Sequence, residues 1–145
     1  MFKIVPISAF TDNYIWVIHD QYYAVVVDPG EAKPVLDFLE QKKLKLTAIL
    51  NTHHHIDHVG GNLELLQQFQ VPVYGPGSES ISTVTHRLKE GDSICLPELS
   101  LRLSVLDIPG HTAGHIAYYG ANLLFCGDTL FSCGCGRLFE GTAQQ

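Results

Sequence analysis

The stretch LNTHHHIDHVGG, from Leu50 to Gly61, holds four histidines and one aspartate within six positions, although the whole chain has only eight histidines. Imidazole is only partly charged at neutral pH and is a common ligand of zinc, copper and iron. An engineered tag is normally a plain run at a terminus, whereas this group is internal and interrupted. The stretch therefore predicts a metal site, with a polar loop or a pH-sensing cluster as the alternatives.

The composition describes one folded domain over residues 1–145. Hydrophobic residues make up 46% of the chain and charged residues 17%, which excludes a disordered chain. No apolar run approaches the ~20 residues that span a bilayer, and the start MFKIVPISAF lacks the features of a signal peptide. The net charge of -6 argues against a general nucleic-acid binder. We therefore expect a cytoplasmic protein without nucleic-acid or membrane partners.

The four cysteines are Cys95, Cys126, Cys133 and Cys135, and none of them forms a Cys-x-x-Cys pair. A cytoplasmic chain seldom carries disulfides, so we expect free thiols at all four positions. A redox role for the Cys133-Gly134-Cys135 turn stays open.

Short apolar runs rich in β-branched and aromatic residues dominate the chain, and Gly, Pro, Asn or Asp separates most of them, as is typical of strands. Two segments have apolar residues at helical spacing, residues 31–43 and residues 59–70. The apolar positions of the second segment are Leu63, Leu65, Leu66 and Phe69. The order β-β-β-α-β-α-β, followed mainly by strands, predicts an α/β (α+β) fold of sheets with helices packed outside.

Four predicted strands end at a histidine or an aspartate. The histidine stretch follows TAILNT, His111 and His115 follow SVLDIP, Asp128 follows NLLFC, and Asp28 ends YYAVVVD. Open sheets of α/β proteins place ligands at the carboxyl ends of their strands, and connecting loops commonly carry functional groups. We therefore expect these side chains to converge at one site.

A first metal would take three neutral imidazoles, His53, His55 and His111. Three ligands leave a position open for water, as in a catalytic zinc site rather than a closed structural one. His54 lies between two of these ligands, so by alternation we expect it to point elsewhere.

A second metal would take Asp57 and His58, and Asp128 is placed to bridge both metals. Two metals roughly 3.5–4 Å apart can share a hydroxide and clamp an oxyanion. Asp28 is predicted either to orient a ligand histidine or to serve only as a turn residue. His115 is predicted to orient the turn or a ligand rather than to bind metal.

The segment THHHIDH matches the Thr-His-x-His-x-Asp-His signature of the metallo-β-lactamase superfamily. The motifs TDNYIW, VVDPG, PGHTAGH, FCGDTLF and GCGRLFEGT also occur in the order of the glyoxalase II (hydroxyacylglutathione hydrolase) family, so the chain resembles that family over nearly its whole length. The resemblance implies a metallo-β-lactamase-like αββα sandwich with two divalent metals, zinc first, although the same ligands accept iron or manganese.

The resemblance also implies an activity in methylglyoxal detoxification. Metal-bound hydroxide, with Asp57 and Asp128 at the reacting centre, would hydrolyse the thioester S-D-lactoylglutathione to glutathione and D-lactate. Arg137 and Phe139 match positions at which the family contacts glutathione, and a guanidinium suits a glutathione carboxylate.

The end of the chain departs from the family pattern. Thr142 to Gln145 forms a capping box, the start signal of a helix, and by resemblance the family continues with another His ligand, further strands and a helical glutathione-binding domain. We therefore expect a chain that is C-terminally truncated relative to the family, with a weakened second metal site. An unpaired sheet edge would favour a homodimer.

Two alternative functions stay open. One is an iron-dependent, persulfide dioxygenase-like enzyme that uses two histidines and one aspartate, which the pair Asp57-His58 does not exclude. The run GCGRLFEGT favours the hydrolase. The other alternative is an inactive metal-binding fragment.

Overall fold

The computed structural model describes residues 1–145, which form ten β-strands and three α-helices. The strands are β1 (Lys3–Ala9), β2 (Asn13–His19), β3 (Tyr23–Val27), β4 (Lys45–Leu50), β5 (Val73–Pro76), β6 (His86–Leu88), β7 (Ser93–Leu96), β8 (Leu101–Asp107), β9 (Ile116–Gly120) and β10 (Leu123–Phe125). The helices are α1 (Lys33–Lys42), α2 (Ile56–Val59) and α3 (Asn62–Gln68), and a 3₁₀ turn covers Pro97–Leu99. Eight strands and two helices correspond to predicted segments, whereas β6, β7 and α2 correspond to none.

The larger sheet has six strands in the order β1-β2-β3-β4-β5-β6. The first three strands pair antiparallel, and the pairs from β3 to β6 are parallel. A parallel pair needs a crossover connection, and α1 provides it between β3 and β4 while α2 and α3 provide it between β4 and β5. The carboxyl ends of β3 and β4 therefore lie side by side.

The smaller sheet is antiparallel, in the order β10-β9-β8-β7, and packs against one face of the larger sheet. Successive side chains of a strand point to opposite faces. In β3, Val25 and Val27 accordingly enter the core between the sheets, while Ala24 and Val26 enter the core beneath the helices. Both faces of β3 are thus buried, which explains its unbroken apolar run.

The helices α1 and α3 pack on the outer face of the larger sheet. Asn62 and Leu65 of α3 face inward, as does Phe69 just after the helix, whereas the side chain of Leu63 is 64% exposed. The prediction that Leu63 belongs to the apolar face was wrong, because Asn62 takes the inward position and donates to Asn51 Oδ1 and Thr83 Oγ1. Long-range hydrogen bonds therefore set the rotation of this helix.

The predicted arrangement of sheets with helices outside is confirmed, with one difference in the number of layers. The two longer helices, α1 and α3, lie on the larger sheet, so residues 1–145 form three layers, whereas an αββα sandwich has four. The outer face of the smaller sheet exposes Leu106, Tyr119 and Leu124.

The predicted capping box at Thr142 closes as a hydrogen-bonded turn. Thr142 N donates to Gln145 Oε1 at 2.8 Å, and Gln145 N donates to Thr142 O at 3.2 Å. All four cysteines are free thiols, as predicted. None of the helices combines the length and the apolar character that a membrane crossing requires.

Candidate metal centre

Four strand ends bring their histidines and aspartates to one site at the junction of the two sheets. We call the group His53, His55 and His111 the imidazole cluster, and the group Asp57, His58 and Asp128 the carboxylate cluster. Within each cluster, ligand atoms from the three residues all lie within 4.8 Å of one another. All six side chains predicted to bind metal are therefore brought together, and the two clusters are neighbours.

The imidazole cluster contains a buried nitrogen suited to a cation. His111 Nε2 lies 2.9 Å from His55 Nδ1, and the ring of His53 is fully buried between them and the carboxylate cluster, with its Nε2 left without a hydrogen-bond partner. A buried polar atom without a partner is costly in a folded protein. A divalent metal would satisfy this nitrogen, so the residues fit the metal that the sequence predicts.

Hydrogen bonds to Nδ1 fix the ring orientations of His111 and His53. His111 Nδ1 donates to Arg137 O at 2.8 Å, and His53 Nδ1 lies 2.9 Å from Thr52 Oγ1. Both arrangements direct Nε2 toward the cluster, as is usual for ligand histidines.

Burial controls the protonation of the imidazole cluster. Burial, with His58 and the other imidazoles nearby, lowers the pKa of His53 far below its usual range. Burial and His111 also lower the pKa of His55. Both rings therefore stay neutral and keep the lone pair that a metal requires.

The carboxylate cluster is organised by ion pairs. His58 Nε2 lies 3.2 Å from Asp128 Oδ1 and 3.6 Å from Asp57 Oδ2. The second oxygen of Asp128 lies 3.4 Å from His111 Nε2, so this side chain faces both clusters.

In the carboxylate cluster the histidine is protonated rather than neutral. Burial alone would lower the pKa of His58, but its contacts with Asp128 and Asp28 outweigh burial and raise the pKa to about 10. Burial would raise the pKa of Asp128, but His58 beside it holds that pKa below its usual value. In the metal-free chain, His58 therefore carries a proton that a metal must displace.

Asp28 anchors the histidine stretch rather than serving only as a turn residue. It is buried, its Oδ1 accepts from Thr52 N at 2.8 Å and its Oδ2 accepts from Thr52 Oγ1 at 2.7 Å. Its Oδ2 also lies 3.1 Å from His58 Nδ1. One carboxylate thus orients His58 directly and His53 through the hydroxyl of Thr52.

His115 supports both clusters from beneath. Its ring is fully buried and stacks on His53 at a centroid distance of 4.5 Å. Its Nδ1 lies 3.0 Å from Ile116 O, and its Nε2 accepts from Asp128 N at 3.2 Å. Burial lowers the pKa of His115, which suits a neutral ring that donates at one nitrogen and accepts at the other.

Arg137 and Phe139, the predicted substrate contacts, lie at the exposed rim of the imidazole cluster. The ring of Phe139 stands edge-on to His55 and His111 at centroid distances of 5.7 and 5.3 Å. Arg137 contributes its backbone carbonyl to His111, and its side chain is exposed.

Sequence reasoning missed three residues that hold the site. Thr52 bonds Asp28, Asn13 Nδ2 donates to Asp57 Oδ2 at 2.8 Å, and Glu79 contacts His54. Thr52 could have been noticed as a hydroxyl beside the first ligand. Asn13 lies 44 positions from Asp57, and Glu79 lies 25 positions from His54, so no local pattern reveals these contacts.

Comparisons with known proteins show the family to which the chain belongs. The model of the metallo-beta-lactamase superfamily matches residues 10–143. A curated relative from Nitrosomonas europaea, named hydroxyacylglutathione hydrolase, is 62% identical over 145 residues, which cover 100% of this chain and 55% of the relative. This chain therefore spans little more than half the length of that protein.

Two solved structures share the fold. The BLEG-1 B3 metallo-beta-lactamase superposes with a TM-score of 0.82 at 28% identity, covering 99% of this chain and 80% of that protein. ETHE1 from Myxococcus xanthus superposes with a TM-score of 0.79 at 29% identity, covering 94% of this chain and 61% of that protein. The predicted metallo-β-lactamase-like fold is thereby confirmed, and the chain belongs to the metallo-beta-lactamase superfamily.

Proposed function

We propose that this chain carries the metal centre of a glyoxalase II-type thioester hydrolase, which converts S-D-lactoylglutathione to glutathione and D-lactate. The observation that carries the proposal is the meeting of the imidazole and carboxylate clusters, with Asp128 facing both. The relative named hydroxyacylglutathione hydrolase, 62% identical over the whole of this chain, supports the substrate class.

Six side chains would hold two divalent metals, and zinc is the first choice because histidine and carboxylate ligands suit it. The imidazole cluster would bind the first metal, Asp57 and His58 the second, and Asp128 would contact both. Metals bound there would acidify water and polarise the thioester carbonyl. We assign catalytic roles to Asp57 and Asp128 because their carboxylates border the space where the two clusters meet.

The surrounding residues fix the geometry on which such chemistry depends. Asp28 and Thr52 set the rings of His58 and His53, and His115 holds the backbone of Asp128. Supporting hydrogen bonds of this kind orient ligands and are worth about 10- to 100-fold in metal affinity or activity.

Substrate recognition would fall to the exposed rim. The phenyl ring of Phe139, 61% exposed, offers an apolar surface beside two proposed ligands. The guanidinium of Arg137 would pair with a glutathione carboxylate. Arg137 is one of only nine lysines and arginines in a chain of net charge -6, so local cationic help matters for an anionic substrate.

We also propose a cytoplasmic location and a homodimer. Four free thiols fit a reducing compartment. The edge strand β10, with Leu124 and Tyr119 exposed beside each other, offers an open sheet edge for a second copy. Light scattering would measure the mass in solution, and a monomer at all concentrations would contradict the homodimer.

The function is tested by measuring metal content per chain and hydrolysis of S-D-lactoylglutathione in the same zinc-loaded sample. The variant His53→Ala should lose metal and turnover together. The matched control His86→Ala, at an exposed histidine of β6, should keep both.

Three outcomes separate the functions. Close to two metals per chain with turnover would support the hydrolase. One bound iron with oxygen uptake on a glutathione persulfide, and no thioester hydrolysis, would replace it with the dioxygenase. Bound metal without either reaction would overturn the activity of this chain and leave a metal-binding module.

A further inference from the structure

Glu79 is a buried carboxylate outside both metal clusters. It lies in the loop between β5 and β6, and its side chain is 4% exposed. Burying an ionised carboxylate costs several kcal/mol unless partners compensate it. The partners of Glu79 therefore indicate why the fold tolerates it.

One oxygen of Glu79 holds the turn that follows His111. Its Oε1 accepts from Thr112 Oγ1 and, at 3.1 Å, from Gly114 N. A Cβ at Gly114 would lie 2.6 Å from Glu79 Cγ, so only glycine allows this approach. The carboxylate is thus fitted closely to the backbone of the turn.

The other oxygen of Glu79 faces His54, the histidine between two proposed ligands. His54 Nδ1 lies 3.0 Å from Glu79 Oε2, and His54 Nε2 lies 3.3 Å from Glu140 Oε1. Glu140 Oε2 in turn accepts from Ala113 N at 2.9 Å. His54 therefore bridges two carboxylates, and both carboxylates bind the same turn.

We propose that His54 is a positioning residue, which joins Glu79 to Glu140 and thereby locks the loop of His53 and His55 against the turn that carries His111. This inference rests on the proposed metal-binding role of those three histidines. It concerns His54, which belongs to neither cluster and has no ligand role in the proposed function.

The residues adjacent to His54 and Glu140 in the chain explain how such a bridge would act on the metal. His54 shares its backbone with His53 and His55, so a shift of its ring rotates the peptides from which both ligands project. Glu140 is next to Phe139, whose backbone N–H donates to His111 O at 3.3 Å. The bridge thus joins the two segments whose separation sets the distance between His55 and His111.

A metal held by His54, His55 and Glu140 themselves is the competing explanation, since ligand atoms of these residues also lie within 4.8 Å of one another. Both ring nitrogens of His54 already face carboxylate oxygens. Both carboxylates also accept from backbone N–H groups of the turn that follows His111, Glu79 from Gly114 N and Glu140 from Ala113 N. A metal held by His54, His55 and Glu140 would not require these contacts with the turn. The geometry therefore favours a bridge.

The test uses Co²⁺ as the probe, with its affinity from chelator competition and its visible absorption band as readouts. The variants are His54→Leu, the milder His54→Gln, Glu79→Gln and the matched control His86→Leu, each first shown to be folded by circular dichroism. We expect His54→Leu to lower Co²⁺ affinity about 10- to 100-fold and to shift the absorption band. Smaller changes should follow for His54→Gln and Glu79→Gln, and none for His86→Leu.

The outcomes distinguish this inference from the proposed function. If folded His54→Leu keeps the parental affinity and band while His53→Ala loses Co²⁺, the bridge is overturned and the metal centre stands. If His53→Ala also keeps them, the metal centre itself is wrong. A lowered melting temperature with an unchanged Co²⁺ band would show a purely structural clamp and would also overturn the inference. Loss of one Co²⁺ per chain in His54→Leu, with the remaining band unchanged, would identify the competing metal site.

Discussion

The imidazole cluster and the carboxylate cluster are neighbours, yet the chain prepares them in opposite ways. In the imidazole cluster, burial and like neighbours keep His53 and His55 neutral, and His53 Nε2 has no partner. In the carboxylate cluster, Asp28 and Asp128 hold a proton on His58, whose pKa rises to about 10. One cluster presents neutral imidazoles to a metal, and the other holds a protonated imidazole between carboxylates.

This difference indicates what each cluster requires of a metal. The imidazole cluster needs only to receive a cation into a preformed site, because the far sides of two rings are already fixed by Thr52 and Arg137. The carboxylate cluster must release the proton of His58 before that ring can bind a metal. We therefore expect the first site to bind more tightly than the second.

The largest expected effect comes from removing one ligand from each cluster in turn. His53→Ala should lower the affinity for the first zinc by more than about 100-fold, because losing a ligand costs more than losing a residue that only supports a ligand. Asp57→Ala should leave that first affinity nearly unchanged and remove the second zinc. Competition with a chromophoric chelator measures both steps, and His86→Ala is the control. Equal losses in the two variants would contradict the ranking of the clusters.

An intermediate effect is expected at the residues that support the clusters. Asp28→Asn should weaken the second zinc about 10- to 100-fold and the first zinc less, because Asp28 touches His58 directly but reaches His53 only through Thr52. Thr52→Val, which removes only the hydroxyl, should affect the first zinc alone. The surface change Asp37→Asn, in an exposed pair with Lys33, should alter neither. A Thr52→Val variant with a weakened second zinc would contradict this division.

The smallest effect concerns the hydrogen bonds of Tyr118 and Asn51, which support the backbone of His58. The hydroxyl of the buried Tyr118 donates to Asn51 O at 2.8 Å, and Asn51 Nδ2 donates to His58 O at 3.2 Å. Tyr118→Phe should lower the free energy of unfolding at pH 8 by about 1 kcal/mol. Urea unfolding measures this change, and Tyr22→Phe at an exposed tyrosine should show none.

The pH dependence of the same pair gives a second check. Burial raises the pKa of Tyr118 well above its usual range. Below a pH of about 10 the tyrosine is protonated in both states, so its contribution to stability is complete. Above that pH only the unfolded chain ionises, so stability falls as pH rises. The difference between the parent and Tyr118→Phe should therefore shrink above pH 10, and a constant difference would contradict the assignment.

Local patterns were enough to predict most elements and the six side chains that meet at the strand ends. The apolar runs correctly predicted eight strands, because a strand buried on one or both faces must be apolar at those positions. His53, His55, Asp57 and His58 follow from spacing within one loop. The convergence of His111 and Asp128 with that loop followed from their places at strand ends.

The short strands β6 and β7 were missed because three or four residues carry too little alternation to predict a strand. The orientation of α3 was predicted wrongly at Leu63 because hydrogen bonds from Asn62 to Asn51 and Thr83 decided it. In both cases the deciding contacts lie outside the segment itself.

The sequence by itself predicted the metallo-β-lactamase-like fold, through its motifs, and the six side chains that the structure brings together, because histidines and aspartates at strand ends converge at one edge of a sheet. The tertiary structure decided that Asp28 and Thr52 orient the rings, that His58 is held as a cation, and that Glu79 and Glu140 meet across His54. These roles depend on burial and on contacts between segments far apart in the chain. Hydrogen bonds and desolvation act through space, so their effects exist only once the sheets have brought those segments together.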